Sequence, residues 1–374
     1  MDWKIPLFKI YWDKSDVSAV SDVVKSGKFW AEGAQIRGFE EKLAAYIGRK
    51  YCAVFNSGTS ALHALLASYG IGCGDEVIVP SFTFISTANS ALFVGARPVF
   101  ADIEAETFGL DPEDVERKIT KKTRAIIPVH YGGCPCKINE LKSIAQKHNL
   151  VLIEDAAESL GARLNNKMTG TFGEAAILSF CQNKIIATGE GGAAVTDSRK
   201  VYEKMKLFRS HGRLETENYF SSVKPFDYIN LGYNLRMPTI IAALGLSQLK
   251  KADKLIALRR KSAAYYYERL REIPEVRPIS VAKEAFCVYQ LYPVMISGGR
   301  DGLIKYLAKK GIMSKVYFSP VHKTHFYKKM MPGLKGLAKT EKASRCILAL
   351  PFYPGITKDE MDHVVDNIKI FFRR

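Results

Sequence analysis

The stretch Asn56-Ser57-Gly58-Thr59-Ser60-Ala61-Leu62 joins an apolar run ending at Phe55 to a helical pattern of Ala61, Leu62, Leu65 and Leu66. A turn at Gly58 would set backbone N–H groups and the hydroxyls of Thr59 and Ser60 at the positive end of that helix, a ready phosphate site. Taken alone, the same residues make an ordinary helix cap. In a second stretch, IEDAAES (153–159), the run Val151, Leu152, Ile153 ends in Glu154 and Asp155. Strand alternation sends these two carboxylates to opposite faces. A carboxylate at the mouth of a parallel sheet can keep a pyridine nitrogen protonated, while a helix N-cap at Asp155 is the plainer alternative. The third stretch, SFCQNKIIATGEGG (179–192), runs from strand-like residues Ala176 to Phe180 into Lys184 and a glycine-rich turn. Most lysines are solvated surface groups. One that follows an apolar strand, downstream of a phosphate site and a sheet-mouth acid, is placed to form a Schiff base.

These side chains need a scaffold, and the pattern around them describes one. Between Val54 and Val195 short apolar runs alternate with helical stretches. Strands are predicted over Glu76 to Val79, Pro98 to Phe100, Ala125 to Val129 and Val151 to Ile153, with helices between them such as Ile138 to His148. That alternation predicts an α/β fold whose mostly parallel sheet carries helices on both faces. Ligands in such sheets sit beyond the carboxyl ends of the strands, where the three stretches lie. After Arg236 a long helical pattern runs from Thr239 to Glu272, closed by Pro274, and shorter elements follow. The reading is a large domain over residues 1–250, including the N-terminal segment, and a smaller C-terminal α+β domain over 251–374.

Bulk properties exclude other classes. The 374 residues are 47% hydrophobic and 25% charged, which argues against wholesale disorder or a fibre. The longest charge-free run, Val77 to Ala96, contains Pro80 and Asn89 and so reads as strand, turn and helix start, not as a membrane span. Asp2, Lys4 and Lys9 interrupt the N-terminus, so no signal segment is expected and the protein should be cytoplasmic. Seven scattered cysteines predict reduced thiols and no disulfide framework. Cys134 and Cys136 follow His130, but no second Cys/His pair accompanies them, so no metal is expected. The net charge of +17 favours anionic ligands. The dense stretch from Lys250 to Lys261 reads as the solvated face of an amphipathic helix.

In this order, the three stretches resemble the DegT/DnrJ/StrS family of nucleotide-sugar aminotransferases. The resemblance extends through IPL (5–7), SGKFWAEGAQIRGFE (26–40), PSFTF (80–84), VHYGG (129–133), GTFGEAAILSF (170–180) and LGYNLRMPTIIAALGLSQL (231–249), nearly the whole chain. It implies the fold-type I aminotransferase architecture and pyridoxal 5'-phosphate (PLP) as cofactor. By position, Lys184 would hold the cofactor as a Schiff base and act as the proton-transfer group, and Asp155 would pair with the ring nitrogen. Glu158 would lie near the ring hydroxyl, and Phe84 would stack on the ring. Gly58, Thr59, Ser60 and Ser179 would receive the phosphate, and Asn234 would complete that site from the neighbouring subunit of a homodimer. His322, in SPVHKTH (319–325), stands in a region the family uses near substrate. Cys181, Gln182, Ile177 and Leu178 depart from the family's common residues without touching the cofactor positions.

The implied reaction moves an amino group from glutamate to the ketone of a nucleotide-diphosphate sugar, for surface polysaccharide or another glycan. NKIIATGEGG (183–192) is similar to the perosamine-synthase branch, which favours a 4-keto over a 3-keto sugar. Two alternatives stand beside this reading. A sugar dehydratase of the same family would carry histidine where Lys184 stands. A regulatory or nucleic-acid-binding protein would be expected to show a recognition helix, zinc spacing or RNA-binding aromatic motif, and none is present.

Overall fold

The computed structural model describes residues 3–214 and 217–373. Its thirteen strands are β1 (Tyr51–Phe55), β2 (Glu76–Pro80), β3 (Arg97–Ala101), β4 (Thr123–Ile126), β5 (Val151–Asp155), β6 (Arg163–Leu164), β7 (Lys167–Met168), β8 (Ala175–Ser179), β9 (Gly192–Thr196), β10 (Val276–Pro278), β11 (Ala285–Phe286), β12 (Tyr292–Ile296) and β13 (Ile347–Leu350). Seven of them form the main sheet in the order β1-β9-β8-β5-β4-β2-β3. Only β9 runs against the rest, pairing antiparallel with β1 and β8, while β8, β5, β4, β2 and β3 pair in parallel. The α/β class with a mostly parallel sheet is as expected from the alternation of apolar and helical patterns.

Both faces of this sheet are covered, which is why its strands read as continuous apolar runs. On one face Ala53, Phe55, Val77, Val79, Ile153 and Ile177 pack with residues of α3 (Gly58–Ser68), α4 (Ile85–Phe93) and α7 (Arg199–Arg209), in the numbering where α1 is Lys14–Ser26, α2 Ala34–Ile47, α5 Pro112–Lys118 and α6 Ile138–Lys147. On the other face the alternate residues Val54, Ala176, Leu178 and Val195 pack with α2 and with α8 (Thr239–Leu249). Ile78, Ile126 and Leu152 meet α5 and α6 on that same side of the pleat.

The helical pattern after Arg236 is two helices and not one. α8 ends at Leu249 and α9 (Ala252–Leu270) begins after a break at Lys250 and Lys251. Tertiary anchors hold that break. Lys251 Nζ lies 2.6 Å from Asp16 and 2.9 Å from Asp13, and Gln248 Nε2 donates to Asp16 at 3.0 Å, tying the junction to α1. Beyond α9 an antiparallel sheet, β10-β12-β13, packs with α9 and the final helix Lys358–Phe372 around Tyr266, Val294, Leu348 and Val365. Ile5 joins this second core and bonds with Gly311.

One expectation fails. Cys134 and Cys287 form a disulfide across 153 residues, and five thiols remain free, among them Cys136. Linear spacing held no sign of the pair. The short ribbon β11-β6-β7 lays residues 285–286 on the large body, and that contact brings Cys287 to the loop after β4.

Candidate active site

Strand ends and helix starts converge on one cleft of about 490 Å³. At its floor, β5 delivers Asp155, whose side chain is buried. Thr87 Oγ1 donates to Asp155 Oδ2 at 2.8 Å, and the Ala157 N–H reaches Oδ1 at 3.2 Å. Burial raises the Asp155 carboxyl above its usual range, against the opposing pull of Thr87, the Ala157 N–H and the Lys184 charge. A carboxylate held in this way gains from a cationic partner.

The phosphate-like end is built at α3. Ser57 caps the helix, its Oγ accepting from the Ser60 N–H at 3.1 Å, and Gly58 and Thr59 line the cleft. Gly192, at the start of β9, lies so near that a Cβ there would fall 2.3 Å from the Gly58 nitrogen. Only glycine lets the two segments close into this cradle. Ser179, the last residue of β8, forms the adjoining wall. Ser60 is different. Its hydroxyl bonds Asn56 Oδ1 at 2.6 Å and Ser57 Oγ at 3.0 Å, so it serves the cap, and it is absent from the cleft lining.

Lys184 enters from the turn after β8, with its side chain 14% exposed and its Nζ 3.5 Å from Glu158 Oε1. The other oxygen of Glu158 accepts the Gly132 N–H at 2.8 Å. Phe84, before α4, is 60% exposed yet lines the cleft, an aromatic face left open on an inward surface. A helix N-terminus, a buried acid, an open ring face and a shielded lysine thus stand around one volume. They fit a flat, phosphorylated, ring-nitrogen cofactor with a carbonyl for the lysine.

Two further expected site residues lie outside this chain's cleft: Asn234, expected to serve a neighbouring subunit, and His322. Asn234 is exposed and pairs by a β-bridge with Ser210, outside this chain's own cleft lining. His322 is buried, its Nδ1 2.7 Å from Ser81 Oγ and its Nε2 3.5 Å from Glu341. It also lies outside the cleft lining, and it braces the turn that leads to Phe84. Sequence reading missed Thr87, Lys315 and Tyr317. Lys315 and Tyr317 line the cleft from far along the chain, and a threonine inside a helix carries no linear signal of a buried partner.

The architecture and the cleft together define a PLP-dependent aminotransferase of fold type I. The sequence profile of the DegT/DnrJ/EryC1/StrS aminotransferase family matches residues 11–369, and the chain belongs to that family. It is 34% identical to GDP-perosamine synthase of Vibrio cholerae over 98% of this chain and 99% of that one. Among solved structures, it resembles Helicobacter pylori PseC, an aminotransferase involved in the biosynthesis of pseudoaminic acid. The TM-score is 0.93, with 31% identity and 99% of each chain covered. It also resembles NtdA from Bacillus subtilis with bound cofactor PMP, at a TM-score of 0.87 and 29% identity, covering 96% of this chain and 82% of that one.

Proposed function

We propose that this enzyme transfers an amino group from glutamate to a nucleotide-linked 4-keto sugar, using Lys184 as the cofactor lysine. The observation that carries the reading is the meeting of Lys184, Asp155, Glu158, Phe84, Gly58, Thr59 and Ser179 on one cleft. When bound, PLP supplies an electron sink that lets a proton leave and return at carbon. Asp155 would hold positive charge on its ring nitrogen, Glu158 would serve its ring hydroxyl, and Phe84 would offer an aromatic face to the ring. Gly58, Thr59 and Ser179 would hold its phosphate. Lys184 would hold the cofactor through its Nζ and, as a free amine, would take a proton from, or return one to, the substrate carbon that bears the nitrogen.

The substrate reading draws on the relatives. The Vibrio cholerae enzyme is named for a GDP-linked product, and a chain of net charge +17 suits a diphosphate. Lys315 at the cleft offers a cation for that group. A homodimer is part of the proposal. Phe220, Val223, Tyr228, Ile229 and Leu231 are exposed just before Asn234, an apolar strip that a second copy would cover while Asn234 enters its partner's phosphate site. Division of the chain near residue 250 and a cytoplasmic location belong to the same reading. No helix among the described residues is long and apolar enough to cross a membrane.

Borohydride treatment followed by peptide mapping tests the core of the proposal, with the pyridoxyl adduct expected on Lys184. An adduct confined to another lysine rejects it. Incubation with glutamate and separate 3-keto and 4-keto nucleotide sugars, with NMR location of the new amine, tests the regiochemistry. Turnover of the 3-keto compound alone reverses that part.

A further inference from the structure

None of the proposed steps uses Cys134, Cys287 or Gln290, yet these residues lie on two segments that close around Glu158 and Lys184. Gly132 gives its N–H to Glu158 Oε2 at 2.8 Å, and two residues later Cys134 is joined to Cys287. From Cys287 the chain continues through Val288, whose N–H bonds the Gly133 carbonyl at 2.9 Å. It then reaches Gln290, whose side-chain amide donates to the carbonyl of Asn183, the residue before Lys184. The two segments are in backbone contact. Gly133 has φ +89°, and a Cβ there would sit 2.7 Å from the Gln290 nitrogen.

Residues 287–291 are also the crossing between the two sheets. Before them β11 pairs with β6 on the large body, and after them β12 enters the three-stranded sheet. The disulfide therefore pins the crossing to the loop that holds Glu158. It also faces solvent-accessible space. Both cysteines line a second cavity of about 610 Å³, with Lys137, Arg260 and Glu268 on its wall, which shares no lining residue with the cofactor cleft. Cys134 is half-buried and Cys287 is fully buried.

We propose that the Cys134–Cys287 disulfide is a redox-sensitive positioning cross-link for the cofactor cleft, opened by a dithiol reductant from the second cavity. The inference rests on the assignment of Lys184 and Glu158 to cofactor binding. In the oxidised protein the link fixes Glu158 through Gly132 and the Lys184 backbone through Gln290. For reduction, a dithiol thiolate attacks the more accessible Cys134 sulfur, forming a mixed disulfide and releasing Cys287 as a thiolate that takes up a proton. The reductant's second thiol then displaces Cys134, which is also protonated, and the reductant leaves as its own disulfide. Two electrons and two protons pass to the protein. Glu158 and Lys184 then lose a common tether, and small misplacements at a reacting centre are costly.

The experiment uses the holoenzyme, untreated or reduced with dithiothreitol, beside a Cys134→Ser/Cys287→Ser variant. Alkylation in denaturant should count five thiols in the untreated protein, the five free cysteines of the structure, and all seven after reduction. Reduction and the double substitution should each weaken PLP retention by about tenfold. Both should also move the pH midpoint of the bound cofactor's absorbance in the same direction. Reoxidation should restore the wild type and not the variant. Unchanged retention and midpoint on reduction overturn the proposal, even if the melting temperature falls, because the link would then be a staple only. Seven reactive thiols in the untreated protein overturn it as well. A borohydride adduct on Lys184 leaves the cofactor reading standing under any of these results, whereas its absence removes both.

Discussion

Glu154 and Asp155 are neighbours on one strand, but they face two different environments. Glu154 points away from the cleft and is fully buried, with His130 Nε2 at 3.0 Å and the N–H groups of Gly170, Phe172 and Gly173 at 2.7, 2.7 and 2.9 Å. Burial works against its charge, yet His130 and those N–H groups prevail and hold its pKa below the ordinary carboxylate value. His130 in turn is raised to about 10, because the contributions of Cys136 and Glu154 outweigh burial. Asp155 faces the cleft with two donors, and its pKa is raised. A carboxylate with every lone pair answered from within the chain is a strut. One with fewer internal donors, at the mouth of a sheet and facing a cleft, can accept a cationic group from outside the chain.

Replacing Asp155 by alanine is the strongest way to break that contrast. Transamination should fall by roughly a thousandfold or more, while the cofactor-free protein should be no less stable at neutral pH. The sign follows from linkage. A carboxyl raised above 3.8 on folding contributes stability below that pH and loses it as pH rises through the folded value, so its buried charge is a cost at neutrality. Steady-state kinetics and thermal unfolding of the apoenzyme check both halves. An active Asp155→Ala enzyme would assign the task to another acid.

Glu154→Gln should do the reverse, lowering stability by about 3–5 kcal/mol through an orphaned buried partner. The contribution of Glu154 is present above pH 4.5 and lost as pH falls through its lowered folded value. That of His130 is present below pH 6.5 and lost as pH rises toward about 10. Urea unfolding at several pH values should show the wild-type advantage over the variant shrinking between pH 6.5 and 10. A constant difference across that window counts against the pair as a strut.

The smallest effect sharpens the comparison at a single hydrogen bond. Thr87→Val removes the donor to Asp155 Oδ2 and should push that carboxyl further up. The expected loss in kcat is about tenfold, the size of one hydrogen bond to a charged group. The acid limb of the pH–rate profile should move to higher pH, and Thr87→Ser should restore both. A Thr87→Val enzyme with an unchanged profile would leave Asp155 positioned by its strand alone.

Much of this site was legible before any coordinates. Strand period two separates Glu154 from Asp155, and the apolar runs before Asp155 and Lys184 place Asp155 at a strand end and Lys184 in the turn beyond one. Capping chemistry marks the stretch Asn56 to Ser60 as a helix start, found as α3, while the structure alone shows Ser57 as its cap. The same local chemistry could not tell whether Ser60 faces the cleft or its own cap, because both choices use one hydroxyl in one turn. The long helical pattern after Arg236 likewise hid a break that depends on Asp13 and Asp16 of a distant helix.

By itself, the sequence determined the alternation of strands and helices, the order of the three motifs and the family that they mark. The alternation rests on periodicity and capping within a few residues, and the family on the resemblance of the motifs taken in their order. Tertiary structure alone decided that Thr87 supports Asp155, that His130 neutralises Glu154, and that His322 braces Ser81. It also decided that Cys134 meets Cys287. These partners stand 24 to 241 residues apart. Their meeting depends on how packed faces bring remote backbone together, and no local pattern encodes that distance.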